Sequence, residues 1–105
     1  MIRNGRPYTD ENGSIDAALI TEHHSKEEIE IVCEWIRHNL MRRKTPNYDK
    51  TSYGLKHLLE QDTGIYLTNN EFKDAMLMCD YKPVNPNELN WCYCISKKYP
   101  ALVNK

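Results

Sequence analysis

Apolar residues recur at spacings of three and four in three segments of the chain, which is the period of an amphipathic helix. Two of these segments begin with a capping box, at Ser25 and at Thr68. In this motif two residues lie three positions apart. The hydroxyl of the first accepts a hydrogen bond from the backbone N–H of the second, and the carboxylate of the second accepts one from the backbone N–H of the first. The pattern predicts helices over about 25–41, 52–62 and 69–80. The residues expected to form their inner faces are Val32, Trp35, Ile36, Leu55, Leu58, Leu59, Phe72 and Met76.

The period changes to two near the C-terminus. Four large apolar residues alternate with polar or smaller ones over 89–96, which predicts a strand with one apolar face. Pro83 cannot continue the third helix and favours an extended 81–84 segment. These two segments are expected to pair antiparallel. The predicted fold class is therefore α+β, a winged-helix-like three-helix core with a C-terminal β-hairpin.

The remaining segments show no sustained period. Breakers in residues 1–24 predict a flexible or loosely docked N-terminal arm that adds little to stability. Three consecutive basic residues followed by Pro46 predict a loop over 41–50. The predicted domain covers 25–98, and 99–105 form a tail.

Charge is distributed unevenly along the chain. Residues 1–34 hold eight acidic and three basic residues, whereas 35–105 hold seven acidic and eleven basic residues, within a net charge of −1. Such a division is compatible with a nucleic-acid surface and a counter-charged arm, and equally with an unevenly charged solvated surface. No apolar run has the length of a membrane span and no secretory leader is recognisable, so a cytoplasmic protein is expected.

Four cysteines, Cys33, Cys79, Cys92 and Cys94, raise the question of disulfides or zinc. The pair at 92 and 94 is separated by one residue, whereas structural zinc sites usually use cysteines two to four residues apart. No histidine pair with zinc-finger spacing accompanies it. We therefore expect buried, reduced thiols, no bound zinc and no cofactor.

The run "SYGLKHLLEQDTGIYLTNNEFKDAMLMCDYKPV", followed by "NWCYCIS", resembles the C-terminal winged-helix segment of phage and plasmid primase-helicases. It also resembles small proteins of phages and mobile elements in Gram-positive bacteria. The resemblance covers about residues 27–98. It implies that Asn69, Asn70 and Lys73 lie on the exposed start of the third helix, where such modules meet a DNA groove.

The leading functional hypothesis is a non-enzymatic winged-helix module of a phage or mobile element that binds nucleic acid, with DNA as the partner. Asparagine can pair with adenine and lysine can address guanine in the major groove. Other basic side chains would neutralise phosphates. Those expected to do so are Arg42, Arg43, Lys44, Lys50, Lys56, Lys97 and Lys98.

The alternative hypothesis is a small protein-binding inhibitor or adaptor, for example an anti-CRISPR protein acting on a host or phage complex. Glu27, Glu30 and Glu34 are spaced to share one face of the first helix and could mimic phosphates. An enzyme is not expected, because no G-x-S-x-G, P-loop, H-E-x-x-H or G-x-G-x-x-G motif occurs.

Overall fold

The computed structural model describes residues 20–96 and, near the N-terminus, the backbone of two short strands. These strands, β1 (Ile2–Arg3) and β2 (Arg6–Pro7), pair antiparallel. The elements that follow are α1 (Ile20–His23), α2 (Lys26–Asn39), β3 (Arg42–Asn47), α3 (Ser52–Thr63), α4 (Asn69–Met78) and β4 (Tyr93–Ile95). The described part of the chain is thus a mixed α+β structure.

The three predicted helices are confirmed as α2, α3 and α4. Both capping boxes form, with Ser25 at the start of α2 and Thr68 at the start of α4. Thr51 occupies the N-cap position of α3, but its side chain makes no capping hydrogen bond. Gly64 ends α3 in the left-handed conformation (φ 77°), which glycine adopts without a Cβ clash, and its N–H donates to the Glu60 carbonyl.

The sheet differs from the predicted C-terminal hairpin. β4 pairs antiparallel with β3, a segment predicted to be a loop, and not with 81–84. Asn47 lies opposite Tyr93, with an irregularity of register along the pair. A strand pairs through backbone groups, so a polar segment with a proline can serve in a short edge ladder. The 81–84 segment is not a strand, although the Val84 N–H donates to the Cys92 carbonyl at 2.9 Å.

The predicted core is confirmed, because all eight of the predicted inward-facing residues are buried. Trp91 and Tyr93 join them, and so does Ile20 of α1. The centre of the packing is α4, which lies beside α1, α2, α3 and the backbone of β2. A helix surrounded in this way must bury polar side chains as well as apolar ones.

Ile20 departs from the expectation of a loosely docked arm. Its side chain is fully buried and its N–H donates to Asp74 Oδ2 at 3.1 Å. The rest of the predicted arm, apart from the backbone of β1 and β2 and residues 21–24, lies outside the described residues. So do Lys97, Lys98 and the predicted 99–105 tail. Among the helices that the structure describes, none combines the length and apolar character needed to cross a bilayer.

Candidate nucleic-acid interface

The residues predicted to enter a DNA groove are not on an exposed helix face. Asn70 and Lys73 have no exposed surface, because α4 is covered on the side where they project. Asn69 is half-buried, accepts a hydrogen bond from Ser52 Oγ at 2.7 Å and donates to Asn90 Oδ1 at 2.9 Å. The prediction that these three residues lie on an exposed helix start is therefore wrong.

Polar contacts around α4 are structural. The Glu71 carboxylate is almost fully buried, receives the Thr68 N–H and lies 3.0 Å from His23 Nδ1. The Lys73 ammonium lies 4.8 Å from the centre of the Trp91 ring, a cation–π distance. Asp74 receives the Ile20 N–H. These side chains fix the helix in the core, which leaves them unable to reach a nucleic acid.

Two of the predicted phosphate contacts are also engaged within the protein. Arg42 donates from Nη2 to the Cys79 carbonyl at 2.9 Å and to the Asp80 carbonyl at 3.1 Å, and its guanidinium stacks on the Tyr81 ring. It thereby satisfies carbonyls at the C-terminal end of α4. Arg43 donates to the carbonyls of Thr45 and Pro46.

The other predicted cations differ in exposure. Lys44 is exposed on β3, and Lys50 is half-buried with its side chain against Gly54 in the first turn of α3. Lys56 is 5% exposed. Lys44 and Lys50 thus keep the placement needed to meet a phosphate, whereas Lys56 is held by its neighbours.

Those neighbours form an aromatic surface that the sequence did not predict. The Lys56 ammonium lies 5.1 Å from the centre of the Tyr53 ring and 4.7 Å from that of Tyr66. Tyr53 and Tyr66 are 53% and 56% exposed, and the His57 ring meets Tyr53 edge to face at 4.6 Å. We call Lys50, Tyr53, Lys56, His57 and Tyr66 the tyrosine–lysine face.

Part of this face is visible in the sequence. Tyr53, Lys56 and His57 are spaced by three and four on a predicted helix, and such residues are neighbours on one helix surface. Tyr66 follows α3 in the segment that leads to α4. Only the fold brings its ring within cation–π distance of the Lys56 ammonium.

A second surface is acidic. Glu27, Glu30 and Glu34 are all exposed on α2, as the alternative hypothesis expects, and we call them the acidic row. Glu30 and Glu34 also line a cavity of about 820 Å³, to which Ile29 and Met78 contribute apolar surface. This surface combines negative charge with an apolar recess.

The cysteines are free thiols, three of them buried and Cys94 half-buried. Burial raises the pKa of the Cys92 thiol above its ordinary value, with a smaller contribution from the Glu88 carboxylate. Among the residues that the structure describes, no three histidine, cysteine or acidic side chains are grouped to hold a metal ion.

Comparison with known proteins adds no relative, since no protein-family model, curated protein or solved structure matches this chain. Two surfaces distinguish the described part of the chain: the tyrosine–lysine face, which is aromatic and cationic, and the acidic row.

Proposed function

We propose that the protein is a non-enzymatic nucleic-acid-binding module that holds single-stranded DNA on the tyrosine–lysine face. One observation carries this proposal: two largely exposed tyrosine rings, one on α3 and one just after it, lie within cation–π distance of the Lys56 ammonium. Proteins that bind single strands combine stacking platforms for bases with cations that follow the backbone.

The Lys56 ammonium has a double role in this arrangement. Its contacts with both rings hold them in place and so reduce the conformational entropy that a ligand would otherwise have to remove. Its positive charge also raises the local potential for phosphates. Lys50, whose side chain lies against Gly54 of α3, and the exposed Lys44 on β3 supply further cations.

A single strand suits this site better than a duplex. The bases of a duplex are stacked on one another, so an aromatic ring reaches their faces only when the strands are separated. Reading a duplex through the major groove needs an exposed helix or ribbon. The helix expected to do this, α4, is buried. The buried helix thus favours stacking over groove recognition.

We also propose that these elements form a winged-helix-like domain. Helix, helix, helix and C-terminal strand follow one another in the winged-helix order, and β3 joins the sheet after the first long helix. With the sequence resemblance stated above, this order supports a winged-helix-like domain from a phage or mobile element. The ligand surface in our proposal lies on α3 and the segment after it.

The binding mode can be tested with the full chain and a fluorescent oligonucleotide. Anisotropy should show binding to a mixed-sequence single strand of about 16 nucleotides, and weaker binding to the corresponding duplex. Lys44→Ala should reduce the slope of log affinity against log salt by up to about one unit. Lys26→Ala, which removes a cation from α2, should leave the slope unchanged. Equal binding of duplex and single strand would contradict the proposal.

The acidic row supports a second candidate function. Three exposed carboxylates beside an apolar recess suit a basic site on a partner protein, one that normally accepts DNA. This matches the hypothesis of an inhibitor or adaptor, for example of a CRISPR nuclease.

The direct test is competition with duplex DNA for a purified CRISPR nuclease. Wild-type protein should displace DNA, and the combined Glu27→Gln, Glu30→Gln and Glu34→Gln variant should not. Glu88→Gln removes an exposed carboxylate elsewhere and serves as the control. Equal competition by the triple variant would exclude phosphate mimicry by this row.

A further inference from the structure

Two cysteines from different helices meet at the edge of the core. Cys33 lies on α2 and Cys79 directly follows α4. The Cys79 thiol donates to the Cys33 carbonyl oxygen at 3.9 Å, which places the two residues side by side. Cys92 and Cys94, by contrast, are near neighbours in the sequence and take no part in this contact.

The environment of Cys33 favours a thiolate. Interaction with the neighbouring Cys79 thiol, aided by the Arg37 guanidinium, lowers the pKa of Cys33 to about 7, against the opposing effects of burial and of Asp74. The same interaction and burial raise the pKa of Cys79 well above its ordinary value, so Cys79 keeps its proton. A thiolate beside a protonated thiol is the arrangement found in reactive cysteine pairs.

Cys33 can also be reached, although only 7% of its surface is exposed. It lines the cavity of about 820 Å³ along α2, together with His24 and Arg37. The recess is large enough for a small oxidant, and Arg37 places positive charge beside the sulfur. Access and acidity therefore coincide at this cysteine.

We propose that Cys33 is a peroxide-reactive thiol and that Cys79 resolves its oxidised form, joining α2 to the end of α4 by a disulfide. The oxidant is hydrogen peroxide or an organic hydroperoxide. This inference is independent of the proposed nucleic-acid function.

The reaction has two steps. The Cys33 thiolate attacks one peroxide oxygen, the O–O bond breaks and an S–O bond forms; the departing oxygen takes a proton and leaves as water or an alcohol. Oxidation of Cys33 to a neutral sulfenic acid removes the negative charge that helps to raise the pKa of Cys79. The Cys79 sulfur then gives up its proton and attacks the Cys33 sulfur, the S–O bond breaks and the hydroxyl leaves as water with that proton. Two thiols lose two electrons in total, and the peroxide gains them.

Mass spectrometry of the full-length reduced protein tests the proposal. Treatment with equimolar hydrogen peroxide should remove two hydrogen atoms, and digestion without reductant should yield a peptide pair linked through Cys33 and Cys79. In Cys79→Ser the reaction should stop at a Cys33 sulfenic acid, which dimedone traps. Cys33→Ser should abolish both products.

Cys94 provides the internal control, because it is more exposed than Cys33. If exposure alone governed reactivity, Cys94 would be oxidised first. We expect Cys33 to react roughly tenfold faster than Cys94 at neutral pH, with a rate that rises as the thiolate forms. Faster oxidation of Cys94, or a disulfide between Cys92 and Cys94, would overturn the proposal. Peptide mapping of the oxidised wild-type protein identifies the cysteine that reacts first, even if a serine variant fails to fold.

Discussion

Lys73 is a charged side chain with no exposed surface, and its four-carbon stem fills space between α4 and Trp91. Truncation to alanine would leave a cavity where that stem packs. Replacement with methionine would keep most of the volume and remove the ammonium together with its contacts, including the cation–π contact with Trp91. The two substitutions therefore separate packing from any role of the charge in binding.

We expect Lys73→Ala to lower the free energy of unfolding by about 2–4 kcal/mol, as for other large-to-small core substitutions. Lys73→Met should cost less than Lys73→Ala, because it keeps most of the packed volume, and should leave oligonucleotide binding unchanged. Urea unfolding and anisotropy measure the two effects. If Lys73→Met is stable but no longer binds the oligonucleotide, Lys73 takes part in binding.

Arg42 illustrates a basic residue whose partners are within the protein. Arg42→Met should lower the unfolding free energy by about 1–2 kcal/mol, because it removes hydrogen bonds to two carbonyls at the end of α4 and a cation–π contact. Arg42→Lys keeps the charge but not the forked geometry, so it should recover only part of the loss. The salt dependence of DNA binding should not change in either variant. A reduced slope without loss of stability would instead identify Arg42 as a phosphate contact.

At the scale of the elements, the helices were predictable because their signals are local. Capping boxes and apolar spacing both act within a few residues, and the structure places both boxes where the sequence predicts them. β3 was not predictable in this way, because its six residues are mostly polar and include Pro46. Its strand conformation comes from pairing with β4, which lies far away in sequence.

The N-cap positions of α2, α3 and α4 allow a comparison of helices with and without a side-chain capping bond. Ser25→Ala and Thr68→Ala should each cost about 1 kcal/mol of unfolding free energy, because each leaves a backbone N–H of the first turn without its side-chain acceptor. Thr51→Ala should cost under about 0.5 kcal/mol, because the Thr51 side chain makes no capping bond. Thermal or urea unfolding can rank the three variants. Equal losses of unfolding free energy at all three positions would show that the side-chain hydrogen bonds of the capping boxes do not stabilise the protein.

At the scale of the whole molecule, packing around α4 decides which predictions fail. The positions of Asn70 and Lys73 indicate a polar, solvent-facing side of a helix, and helical period alone predicts it to be exposed. Neighbouring elements cover that side, and Ile20 reaches Asp74 from more than fifty residues away in sequence. Local periodicity contains no information about which distant segments pack over a helix. The core residues were therefore predictable, whereas the exposed surface of α4 was not.

Ile20 tests how far the N-terminal region belongs to the domain. Ile20→Ala should reduce the unfolding free energy by about 2–4 kcal/mol, because a fully buried side chain is truncated. Ile31→Ala removes the same atoms from a residue that is 49% exposed and should stay within about 0.5 kcal/mol of wild type. Equal stability of the two variants would support the original expectation of a loosely docked arm.

The most direct test of the proposed function compares two substitutions at Tyr53. Tyr53→Phe keeps an aromatic ring at the tyrosine–lysine face, whereas Tyr53→Leu removes it. Because Tyr53 is largely exposed, both variants should fold. The measurement is the affinity for a fluorescent single-stranded DNA at low salt. We predict that Tyr53→Leu weakens binding by about 1–3 kcal/mol, the contribution of one stacked base, and that Tyr53→Phe binds as wild type does. Identical affinities for the two variants, or no binding by the wild-type protein, would contradict the account.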